Sequence, residues 1–140
     1  MMQSFDWQGA LESCSEVLRD DPDHLGALET LAKAQWLGGQ YKEVIVTTNH
    51  LLRLNPHEPG YRYTRGMAYL SLGQLRRSAE DLRRAYLQSG NPSFKSQVAS
   101  ALDAVELWLE EGTEIRKGEH RSAQIPDMYQ SHIGGSILIH

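Results

Sequence analysis

LGALETLAKAQWLGGQYKEVIVTTNHLLRLNPHE, residues 25–58, is followed without a gap by PGYRYTRGMAYLSLGQLRRSAEDLRRAYLQSGNP, residues 59–92. The two stretches have the same length and the same internal layout. Gly39 returns as Gly73 and Ala34 as Ala68, each 34 residues on. Pro22 and Pro56 stand at the same interval. Ala10, Val44 and Ser78 make a column of small or slim side chains, and Leu18, Leu52 and Tyr86 a column of bulky ones. A fixed period of this length is the mark of stacked helical hairpins. A single hairpin cannot bury its apolar stripe, so neighbouring hairpins must stack to make a core.

Working outward, the breakers divide the chain into helices. Trp7, Ala10, Leu11, Cys14, Val17 and Leu18 fall on one stripe and predict a helix from about Asp6 to Arg19. Asp20-Asp21-Pro22-Asp23 stops it, because proline cannot continue a helix. Further helices are expected at 25–37, ended by Gly38-Gly39, and at 41–54, ended by Asn55-Pro56. Pro59 suits the first position of a fourth, to about Leu72, where its missing N–H is no loss. A fifth covers about 75–88. Asn91 as N-cap and Pro92 as first helical residue open a sixth, to about Glu111, with Gly112 as its stop. The domain reading is therefore a helical array over 1–111, with a partial first repeat, two full repeats and a closing helix. Residues 112–140 are read as a flexible or docking tail whose apolar residues, Met128, Tyr129, Ile133 and Ile137 to Ile139, lie among breakers.

The chain has 140 residues, a formal net charge of −4 and a pI near 5.8. That balance argues against nucleic acid or an anionic membrane as partner, since both reward a basic surface. No run approaches the length of a membrane span, and no signal peptide is visible at the N-terminus. The lone Cys14 rules out an intrachain disulfide and fits a reducing, cytoplasmic setting. His24, His50, His57, His120, His132 and His140 show no ligand spacing, so no metal or other cofactor is expected. No phosphate loop, nucleophile elbow or metalloprotease motif is present, and the chain does not read as an enzyme.

From about Phe5 to Glu111 the pattern resembles the tetratricopeptide repeat family. Leu28, Leu31-Ala32, Tyr41, Val44, Leu51 and Pro56 carry the resemblance in one unit, and Gly66, Tyr69, Gly73, Ala79, Leu82 and Ala85 in the next. Arg62 and Arg65 depart from it, standing where bulky apolar residues are usual. The resemblance implies an all-α fold of about six helices, a short right-handed superhelix of antiparallel hairpins. It also implies an interaction module, acting as adaptor, scaffold or chaperone, that holds a protein or peptide segment in a concave groove. Glu29, Lys33, Trp36, Tyr63, Met67 and Leu70 are the groove-facing positions it assigns. Of these only Lys33 suits a carboxylate clamp, and the aromatic and apolar remainder suits an extended apolar peptide. The alternative is a self-assembling homo-oligomer using the uncovered first helix and the tail. Arg76, Arg77, Arg83 and Arg84 are expected to pair with Asp103, Glu106, Glu110 and Glu111 on the closing helix.

Overall fold

A computed structural model of the chain describes residues 5–115. These form six helices: α1 Trp7–Asp20, α2 Leu25–Leu37, α3 Tyr41–Leu54, α4 Pro59–Ser71, α5 Leu75–Gln88 and α6 Pro92–Ile115. Side chains cap the starts of α1, α2 and α6, whereas α3 and α5 begin without a side-chain cap. Asp6 accepts from the Gly9 N–H at 3.0 Å, His24 Nδ1 from that of Ala27 at 3.0 Å, and Asn91 Oδ1 from those of Ser93 and Phe94 at 2.9 and 3.1 Å. Such caps satisfy donors that have no partner inside the helix. The α2–α3 and α4–α5 turns pass through Gly39 at φ 72° and Gly73 at φ 77°, a left-handed backbone that favours glycine. Gly112 does not stop α6, which runs on to Ile115. It is not one of the glycines with a positive φ, so nothing in its backbone breaks the helix. The rest of the expected tail lies outside the described residues.

Cross-links between helices sort them into two layers. In the even layer, the Tyr61 hydroxyl of α4 donates to Glu29 Oε2 of α2 at 2.7 Å, and Gln97 of α6 donates to the Tyr63 hydroxyl of α4 at 3.4 Å. In the odd layer, His50 of α3 meets Asp23, just after α1, at 2.8 Å, and Gln88 of α5 donates to the Pro56 carbonyl, just after α3, at 3.3 Å. Within a hairpin the helices approach closely because one side is small. A Cβ on Gly66 of α4 would lie 3.2 Å from Asp81 Cβ and Leu82 Cγ of α5. The main core joins α2 to α6 through Trp36, Val44, Tyr63, Met67, Leu70, Leu82, Val98 and Val105, all buried. A smaller cluster of Leu28, Leu51, Leu52 and Tyr61, with Leu18 packed against it, ties in the N-terminal side.

Candidate interaction surface

The structure divides the six expected groove residues. Trp36 is 5% exposed, Leu70 1%, and Tyr63 and Met67 not at all. Their expected exposure in a groove is therefore corrected, and for a plain reason: other helices reach them. The Trp36 ring stands edge-on to Tyr41 at the α2–α3 turn, with centroids 5.0 Å apart. Tyr63 lies edge-on to Phe94 of α6 at 5.5 Å, and burial pushes its phenol up to about 12. Met67 and Leu70 belong to the same cluster as Val98, Ala101 and Val105 of α6. Glu29 is half-buried and committed to Tyr61, whose phenol is also raised, first by burial and then by that carboxylate. Of the six, Lys33 alone is exposed.

What α2 does present is the row Gly26, Thr30, Lys33 and Leu37, one or two turns apart and all exposed. Of the same places on α4, Gly60, Thr64 and Met67 are buried and Ser71 is half-buried. Around the α2 row lie three large apolar side chains in water: Phe5 at 41% exposure, Leu25 at 41% and Leu37 at 45%. The Lys33 ammonium sits 5.2 Å from the centroid of the Phe5 ring. The surface therefore combines apolar contact area with one well-placed cation, a composition suited to binding rather than to solvation alone.

A second constellation was half visible in the sequence as the two misplaced arginines. Arg65 of α4 holds the buried Asp81 of α5 in a fork, Nε to Oδ2 and Nη2 to Oδ1, both at 2.7 Å, and gives Nη1 to Asn49 of α3 at 2.8 Å. Arg62 shares the same carboxylate more loosely, at 3.7 Å, and its buried Nε has no partner. Asp81 holds the Arg65 guanidinium above its ordinary pKa, whereas burial and then the neighbouring Arg65 charge lower that of Arg62. The cluster works as a polar bolt through α3, α4 and α5, replacing the apolar packing that the register leads one to expect. The arginines of α5 behave differently from expectation: among the described residues only Arg83 finds a carboxylate on α6, Glu106 at 3.0 Å. Among the described residues no three His, Cys, Asp or Glu gather as metal ligands, and no helix is long and apolar enough to cross a membrane.

Residues 1–68 match the family model described as tetratricopeptide repeat. Among solved structures the chain resembles that of the type III secretion translocator chaperone SycD of Yersinia enterocolitica, with a TM-score of 0.69 and 20% sequence identity over 74% of each chain. At that identity the likeness establishes the fold. No curated protein matches the chain.

Proposed function

We propose, for a chain whose residues 1–68 match the tetratricopeptide repeat family model and whose described residues fold as six stacked helices, that it is a non-enzymatic interaction module. It holds a segment of a partner protein against the outward row of α2. One observation carries this reading: that row stays open, with Phe5, Leu25 and Leu37 exposed around Lys33, while the equivalent row of α4 is buried at Gly60, Thr64 and Met67 and half-buried at Ser71. The partner segment supplies apolar side chains to the two leucines and a carboxylate to Lys33. The groove side of the array, which the family resemblance assigns to binding, is entered at α2 rather than along α4. A chaperone role is the form of this reading that the likeness to SycD supports.

Affinity capture from the native host tests it, with the wild-type chain and a Lys33→Glu/Leu37→Asp variant run side by side and compared by mass spectrometry. Both side chains are exposed, so the variant keeps its fold. A protein retained by the wild type and lost by the variant is the expected result, with a cost of about 1–3 kcal/mol if the row is a binding hot spot. Equal retention by both chains, or by neither, overturns the reading.

A further inference from the structure

An open cavity of about 430 Å³ lies where the α4–α5 turn meets the closing helix. That volume falls within the range of ligand pockets, roughly 300–1,000 Å³. Gly73, Gln74, Leu75, Arg76, Arg77 and Leu109 line it. Leu75 and Leu109 are half-buried and packed against the main core, so they give the cavity a fixed apolar wall. The two arginines differ. Arg77 donates to Gln74 at 3.2 Å and lies over the Tyr69 ring at 5.8 Å. Arg76 is exposed, and its guanidinium makes no hydrogen bond, ion pair or ring contact with the described residues. Glu80 of α5 and Glu110 and Glu111 of α6 are exposed too, but none of them lines the cavity or pairs with Arg76. The cavity thus sets an apolar wall beside one uncommitted cation.

We propose that residues 125–129 of the same molecule, Ile125-Pro126-Asp127-Met128-Tyr129, dock in this cavity, the Asp127 carboxylate on Arg76 and the apolar side chains on Leu75 and Leu109. The described chain ends close by. Leu109 stands six residues before Ile115, ~9 Å along α6. Nine residues, 116–124, join Ile115 to Ile125 and span up to ~30 Å when extended. The segment therefore reaches back with length to spare. So short a tether holds it at an effective concentration on the order of millimolar, and a contact too weak for a free peptide is still populated. Composition selects 125–129 among the residues beyond Ile115. Only two carboxylate side chains occur there, Glu119 and Asp127. Glu119 stands among Lys117, His120 and Arg121, which would bring cations toward Arg76. Ile133 and the apolar run 137–139 have no acidic neighbour. Asp127 alone is set among apolar side chains. Pro126 biases Ile125 toward extended backbone. In an extended chain Ile125, Asp127 and Tyr129 share one side at ~6.6 Å spacing, with an apolar group on either side of the carboxylate. Burying those apolar groups adds to the ion pair what a surface pair lacks alone. The site is separate from the α2 row, and the proposal stands or falls independently of it.

A spin label on Ser131→Cys in the full chain, read by NMR, decides the matter; Cys14 is buried and stays unlabelled. The amide signals of residues 73–77 should broaden, and that of Thr30 on α2 should not. Asp127→Arg should reduce the broadening about fivefold, because reversal replaces an attraction by a repulsion of similar size. Adding Arg76→Asp should restore it, and Arg76 is exposed, so this change leaves the core intact. The tether is the same in all three chains, so the difference between them reports the contact rather than nearness alone. Broadening should persist on dilution and be absent when spin-labelled chains are mixed with unlabelled, isotope-enriched ones. Unbroadened signals at residues 73–77, broadening indifferent to Asp127→Arg, or a charge swap that restores nothing would each overturn the proposal. So would broadening in the mixture, which would make the occupant a segment of a second copy.

Discussion

Asp81 shows how much a single buried charge can govern. It is 4% exposed, lies in the α4–α5 interface, and among the described residues is the only carboxylate that pairs with both Arg62 and Arg65. Removing one partner of a buried ion pair leaves the other charge desolvated and uncompensated. Asp81→Ala should therefore cost about 3–5 kcal/mol in a urea titration. Replacing Arg65 and Asp81 together by leucine should cost much less than the two single changes added, since neither member of the pair is then left as a lone buried charge. A loss below about 1 kcal/mol for Asp81→Ala would mean that the cluster is idle. Tyr63 supplies a pH dependence of known sign. Its phenol titrates near 10.0 when unperturbed and near 12 in the fold. The stability it contributes is complete below pH 10.0 and is lost as the pH rises toward 12, because the unfolded chain releases that proton first. Tyr61, raised in the same direction, adds to the slope. Tyr63→Phe should reduce the drop in denaturation midpoint between about pH 9 and about pH 11, and an unchanged slope would show that other groups set it.

Individual helices were the part of the structure most legible in the sequence. The breakers at Pro22, Gly38-Gly39, Asn55-Pro56, Gly73 and Ser89-Gly90 mark helix ends that the structure reproduces within a residue or so, because proline and left-handed glycine act locally. Gly112 was misread for the complementary reason: a glycine stops a helix only where the following chain turns away, and no nearby residue reports that. The contact of α1 with α2 shows what spacing alone does not give. The Trp7 ring lies against Gly38, where an added Cβ would stand 2.7 Å from its Cε3 and Cζ3 atoms. The backbone at Gly38 has φ −87°, open to any residue, so Gly38→Ala acts through the ring and not through strain. It should displace Trp7, cost about 1–3 kcal/mol, and speed amide exchange over Trp7–Asp20 while α4 and α5 hold their protection. Uniformly faster exchange in all helices would show that α1 is not a separate cooperative unit.

Across the molecule, the exposed groove expected from the sequence is the part the structure corrects: Trp36, Tyr63, Met67 and Leu70 are buried. A sequence period assigns each repeat the same roles, so Trp36, Tyr63, Met67 and Leu70 inherited groove positions alongside Lys33. Burial is not periodic in a short stack. α4 lies between α2 and α6 and buries eight residues from Gly60 to Leu70, whereas α1, at the end, buries only Cys14. Trp36→Ala is accordingly expected to lower global stability by about 3–5 kcal/mol, as loss of a core side chain does, and a variant of unchanged melting temperature would return Trp36 to the surface. The same asymmetry predicts the order in which the array opens. In a stacked repeat protein, stability is roughly a sum over units and their nearest-neighbour contacts, so the end with fewer contacts unravels first. Amide hydrogen exchange should find α1 least protected and α4 most. If α1 proves as protected as α4, the array opens as one unit, and the contrast between its end and its middle has no energetic weight.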